Sequence, residues 1–200
     1  AFIYDAVRTP RGKGKSSGSL YTTHPVQLLA QCLQALETRN ELDTSQVDDV
    51  VAGVVTQTGD QGSCIARTAS MLTGYDVDAP GVTVNRFCGS GLEAVNHAAA
   101  MVASGYFDMV IGGGVESMSR VKMGSDGGAM FEPMTQWAVG AVPQGISGDL
   151  LATLRGFSRH DVDSFALGSQ ERAAHAIEKG YFDNTIVPVR DQNGLEVLAK

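Results

Sequence analysis

Strand and helix signals alternate along this chain, and that alternation confines it to a small set of folds. Phe2 to Val7 reads as a buried strand, ended by Arg8-Thr9-Pro10 and a polar loop running to Ser19. Pro25, a residue favoured at the first helical position, opens a segment where Val26, Leu29, Ala30, Leu33 and Leu36 keep the helical period. Asp49 to Val55 predicts a second buried strand, and Ile65, Ala69 and Leu72 mark a short helix ending before Gly74. Gly81 to Val84 predicts a third strand, followed by a helix with Leu92, Val95, Ala99 and Val102 on one face and a stop at Gly105. Asp108 to Ile111 predicts the next strand, closed by a glycine turn at Gly112-Gly113-Gly114. Strands separated by helices predict an α/β fold, a mostly parallel sheet covered by helices, with function gathered at the carboxyl ends of the strands.

From Glu116 to about Leu154 the periodicity fades. This stretch holds Met118, Met123, Met130, Met134, Pro133, Pro143 and the single tryptophan, Trp137. Long irregular segments inside ordered proteins are usually functional, and its apolar content predicts an ordered excursion that covers something. Regular structure returns at Ser158-x-x-Asp161, a capping-box pattern. A helix follows, bearing Val162, Phe165, Ala166, Ala173 and Ala176 and stopped at Gly180, then a strand over Ile186–Val189. We therefore expect a first α/β domain over residues 1–115, with the excursion and a helix–strand return over 116–200.

Charge and cysteine usage exclude several function classes. The 15 basic and 22 acidic residues leave a net charge of −7 with no basic block, which argues against nucleic acid or an anionic membrane surface as partner. No apolar run approaches the length of a membrane span. Three scattered cysteines, Cys32, Cys64 and Cys88, form neither a disulfide framework nor a zinc-type pair, so no metal site is expected. The amino-terminal residues lack a secretory pattern, and a reducing, cytoplasmic setting is expected.

The cysteines differ in context. Cys32 lies beside the stripe of the first helix and reads as a packing residue. Cys64 opens the short second helix. Cys88 stands between the third strand and its helix, in Asn85-Arg86-Phe87-Cys88-Gly89-Ser90-Gly91. A thiol at the first turn of a helix meets unpaired N–H groups and the positive end of the dipole, which favour a thiolate. Gly89 and Gly91 leave room for a ligand. The same spacing suits a cysteine packed in a tight strand-to-helix turn, and spacing alone leaves both readings open.

These residues resemble the thiolase family, the acyl-CoA C-acyltransferases. Asn85 to Gly91 resembles the family's nucleophile motif. Arg8-Thr9-Pro10-Arg11-Gly12-Lys13 resembles its opening loop, and Gly112-Gly113-Gly114-Val115-Glu116-Ser117-Met118-Ser119 its glycine–glutamate–serine–methionine stretch. Asp163-Ser164-Phe165-Ala166 through Ile186-Val187-Pro188-Val189 is similar to its later helix and strand. The matches run in order over nearly the whole chain.

The resemblance implies a thiolase-like fold and a two-step acyl transfer on coenzyme A thioesters, acyl-CoA and acetyl-CoA, with Cys88 as nucleophile and no cofactor. The Cys88 backbone N–H is implied to hold the thioester oxygen, and the excursion after Glu116 to act as the loop domain covering coenzyme A. Gln144 and Gly145, in Pro143-Gln144-Gly145 where many relatives carry His-Met-Gly, are the implied substrate contacts. A homodimer or homotetramer is also implied. The family's activating histidine, in Gly-His-Pro, and its second cysteine, in Cys-x-Gly, are not found here: His24 follows threonine, and Cys32 and Cys64 precede no such glycine. His97, His160 and His175 lie in helical patterns. A carboxyl-terminal catalytic domain of similar size is therefore expected outside this chain. The alternatives are a related Claisen-condensing enzyme and a non-catalytic thiolase-like binding module.

Overall fold

β1 (Asp49–Gly53) is buried at all five positions and forms the centre of a three-stranded sheet. In the computed structural model, which describes residues 1–200, it pairs in parallel with β2 (Gly81–Val84) on one side and β3 (Val110–Gly114) on the other. The register aligns Gly53 with Val84 and with Gly114. Three parallel strands thus end level, and the segments leaving them converge at one edge of the sheet.

Side chains alternate across β1. Val50 and Ala52 join a core with Leu29, Ala30 and Leu33 of α1 (Pro25–Asn40) and Ala66 and Ala69 of α2 (Ile65–Leu72). Tyr75 closes this core by donating its hydroxyl proton to the Leu33 carbonyl at 2.8 Å. Leu33 is 1% exposed, a burial that contributes about 1.5–3 kcal/mol. Cys32, as expected of a packing residue, is half-buried beside this face, and burial pushes its thiol up.

The opposite face carries α3 (Ser90–Ala103), packed on β1 and β3. Here the expected helix face is reversed. Ser90, Ala94 and Ala98 are the buried residues, whereas Leu92 is 68% and Val95 37% exposed. The cause is a close backbone approach that only small side chains permit. A Cβ on Gly112 would lie 2.9 Å from the Ala94 carbonyl oxygen and 2.9 Å from the Val95 Cα, and one on Gly53 would strike the Ser90 carbonyl. The glycine run that spacing assigned to a turn is accordingly the paired end of β3.

The expected strand over Phe2–Val7 does not form. Phe2, Ile3 and Tyr4 are more than four-fifths exposed. Pairing is confined to Arg8, whose N–H donates to Thr185 and whose carbonyl accepts from Val187, each at 2.8 Å. A strand needs a lateral partner along its length, and this segment meets one only at its end. The carboxyl-terminal strand likewise shifts: Ile186 makes the bridge to Arg8, and β4 (Val189–Arg190) pairs antiparallel with β5 (Glu196–Leu198).

Two compact units are described, residues 1–126 with 185–200, and residues 127–184. The first extends past the boundary expected at 115 because Glu116, Ser117 and Arg120 bond back to it and Val121 is buried. The second holds α4 (Pro133–Val139), α5 (Gln144–Arg155) and α6 (Arg159–Glu178), so the stretch expected to lack regular structure contains two helices. Gly140 and Gly156 end α4 and α5 in the left-handed conformation, at φ 63° and 70°. Ser158 and Asp161 form the expected capping box on α6. No residue of α4, α5 or α6 is buried, and the large apolar residues of α6, Val162, Phe165, Leu167 and Ile177, are exposed. No helix of the chain is long and apolar enough to cross a membrane.

Candidate active site

The sheet edge where β1, β2 and β3 end carries an open depression of about 380 Å³. Val55, Phe87, Cys88 and Glu116 line it together with Gly91 and Gly113. Cβ atoms built on Gly91 and Gly113 meet nothing within 4 Å, so both glycines keep space free beside the sulfur. Cys88 is exposed and carries a free thiol. It stands ahead of α3 rather than inside its first turn, because Gly89 is the N-cap and Ser90 the first helical residue.

The segment before Cys88 is held by its own polar groups. Asn85 donates from Nδ2 to the Val55 carbonyl at 2.9 Å, and its Oδ1 accepts the Phe87 N–H at 2.8 Å. Phe87 has a φ of 47°, a left-handed conformation that costs an L residue about 1–2 kcal/mol. The Ser90 hydroxyl donates to the Phe87 carbonyl at 2.6 Å and accepts the Arg86 N–H at 2.9 Å. Arg86 also reaches Glu93 at 2.8 Å, and His97 meets the same carboxylate oxygen at 3.0 Å.

The opposite rim is built on Glu116. Its carboxylate accepts the N–H of Val55 at 2.7 Å, that of Thr56 at 3.3 Å and Gln61 Nε2 at 2.9 Å. Gln61, fully buried, spans from Glu116 to the Ser117 N–H. The carboxylate thereby fixes the chain leaving β1, which Asn85 grips from the other side.

Of the candidate site residues Cys88, Gln144 and Gly145, Cys88 lines this depression, and Gly91, expected to leave room for a ligand, lies beside it there. Gln144 and Gly145 form the exposed first turn of α5, in the second unit. Cys64 is the N-cap of α2, with φ 54° and its thiol directed at the Gly81 carbonyl at 3.2 Å. His97 is paired with Glu93, His160 lies 3.5 Å from the Ser164 hydroxyl, and His175 meets Tyr181 edge-on. Asn85, Ser90, Gln61 and Glu116 escaped the sequence reading as parts of the site. Asking where the backbone groups around Cys88 find partners would have singled out Asn85 and Ser90, since such residues bond the chain locally. Gln61 and Glu116 are far apart in sequence and gave no such signal.

Comparison with known proteins gives a consistent result. Residues 1–197 match the family model described as thiolase, N-terminal domain. A steroid 3-ketoacyl-CoA thiolase of Mycobacterium tuberculosis is 37% identical, aligned to 97% of this chain and 50% of its own length. A 3-ketoacyl-CoA thiolase of Alcanivorax borkumensis is 38% identical over 99% of this chain and 51% of its own length. One from Shewanella loihica is 39% identical over 97% and 51%. The chain spans about half the length of these curated relatives.

Proposed function

Because the chain belongs to the thiolase family, matching its amino-terminal domain, we propose that it supplies the cysteine nucleophile of an acyl-CoA C-acyltransferase that makes or cleaves 3-ketoacyl-CoA. The observation that carries this reading is the position of Cys88: an exposed thiol at the carboxyl end of β2, in a depression kept open by glycines. Its sulfur attacks the thioester carbonyl carbon of an acyl-CoA. The carbon–sulfur bond to coenzyme A breaks, and coenzyme A leaves as a thiol with the proton that Cys88 gives up. The carbanion of acetyl-CoA then attacks the acyl-cysteine, forming the new carbon–carbon bond and returning the thiol. Thiolysis runs the same steps backwards. Acyl transfer of this kind balances without a redox cofactor.

Proton transfer during carbon–carbon bond formation needs a base, which we assign to a carboxyl-terminal domain outside this chain. Gln144 and Gly145, at the open start of α5, are the proposed coenzyme A contacts; their N–H groups suit a carbonyl or phosphate oxygen. We assign the protein to the cytoplasm, where the thiol stays reduced. β2 is an edge strand with Val82 exposed, and an unpaired apolar edge invites a second copy. We therefore propose a homo-oligomer, dimer or tetramer. Light scattering that returned a monomer at micromolar concentration would reject it.

Acylation tests the central reading. The full-length protein incubated with acetyl-CoA is expected to gain one acetyl group by intact mass. That adduct disappears in Cys88→Ala and persists in Cys64→Ala. An adduct retained in Cys88→Ala overturns the assignment.

A further inference from the structure

We propose that Ser90 is a positioning residue for Cys88, acting by holding Phe87 in its left-handed conformation. The inference rests on Cys88 as the acylated residue and goes beyond it by naming what sets the sulfur's place. Phe87 immediately precedes Cys88, so its φ and ψ decide where the sulfur points. An unrestrained phenylalanine leaves a φ of 47° for the extended or helical regions.

Three bonds oppose that relaxation. The Phe87 N–H is held by Asn85 Oδ1 at 2.8 Å, and its carbonyl receives both the Ser90 N–H at 2.9 Å and the Ser90 hydroxyl at 2.6 Å. Ser90 differs from Asn85 in being anchored. It is 3% exposed, and its backbone lies so close to β1 that a Cβ on Gly53 would strike it. Its hydroxyl is saturated on both sides, accepting from Arg86 while donating to Phe87. The sheet therefore fixes Ser90, Ser90 fixes Phe87, and Phe87 aims Cys88. The exposed phenyl ring takes no part in the lock.

A double-mutant cycle in the full-length protein separates this role from general support. The rate of Cys88 acylation by acetyl-CoA is measured by rapid quench and peptide mass across a range of acetyl-CoA concentrations. Ser90→Ala is expected to lower the limiting acylation rate about tenfold while the half-saturating concentration stays unchanged. Phe87→Gly removes the reason for the lock, because glycine adopts positive φ freely. In that background Ser90→Ala is expected to cost no more than about twofold. Equal losses in both backgrounds would overturn the proposal, as would a Ser90→Ala protein acylated at the wild-type rate. Should Ser90→Ala fail to fold alone yet fold beside Phe87→Gly, the same coupling is read as stability. Failure in both backgrounds rejects it. A wild-type protein with no acetyl group on Cys88 removes the catalytic reading itself, an outcome distinct from any of these.

Discussion

Gln61 Nε2 donates to Glu116 Oε1 at 2.9 Å from a side chain with no solvent exposure. The two residues lie 55 positions apart, and their bond joins the chain leaving β1 to the chain leaving β3. Replacing Gln61 by leucine strips partners from both the carboxylate and the Ser117 N–H. A loss of about 1–3 kcal/mol is expected, since the buried Ser117 N–H is orphaned and bears its full desolvation cost, whereas the exposed Glu116 keeps the Val55 and Thr56 N–H groups. Urea unfolding checks this, and an unchanged midpoint would show that the brace does not bear on stability.

Neighbouring glycines in β3 are expected to respond in opposite ways. Gly112→Ala places a methyl group 2.9 Å from the α3 backbone and should cost about 1–3 kcal/mol by overpacking. Gly113→Ala meets open space, so stability should stay within about 0.5 kcal/mol. Because that methyl group enters the depression beside Cys88, acyl-CoA turnover should fall although the fold is kept. Thermal melts and acylation rates for the pair test both halves, and equal melting points would refute the packing assignment.

Asp48 and Asp49 sit side by side with opposed titrations. The N–H groups of Met109 and Asp108 bond the Asp48 carboxylate, at 2.9 and 2.8 Å, and lower its pKa. A lowered folded pKa contributes stability above the unfolded carboxylate value of about 3.9, and this is lost as pH falls through the folded value. Burial raises the pKa of Asp49, so stability falls as pH climbs from the unfolded carboxylate value through the raised folded value. Asp48→Asn should therefore destabilise at pH 7 and converge with wild type in strong acid. Asp49→Asn should stabilise at pH 7, with the gain vanishing near pH 3. Urea midpoints between pH 3 and 7 decide it; the same sign for both variants would contradict the two environments.

Ser63 and Cys64 enter α2 with consecutive positive φ values, 53° and 54°. Glycine removes the side-chain penalty at such a position but leaves a more flexible unfolded chain. Cys64→Gly is expected to shift stability by no more than about 1 kcal/mol, toward greater stability, with acylation of Cys88 unaffected. A destabilised variant would mean that the contact from Cys64 to Gly81 outweighs the backbone strain.

By itself the sequence determined the order of the elements from α1 to β3 and the place of the thiol. The stripe of α1 with Pro25 at its start, the apolar run of β1 and the Ser158–Asp161 box are local patterns, and local patterns survive in a linear text. Asn85 to Gly91 was equally legible, because a strand-to-helix turn around a cysteine is contiguous. Tertiary structure decided what no local pattern carries. α3 is apolar on more than one side, so its period could not say that Ala94 and Ala98, rather than Leu92 and Val95, meet the sheet; the closeness of two backbones at Gly112 and Gly53 did. Whether Phe2–Val7 becomes a strand depends on a lateral partner, and pairing is a property of two segments. The Glu116 brace depends on where β1 and β3 end relative to each other. That follows from parallel register, which sets hydrogen bonds between residues some 60 positions apart.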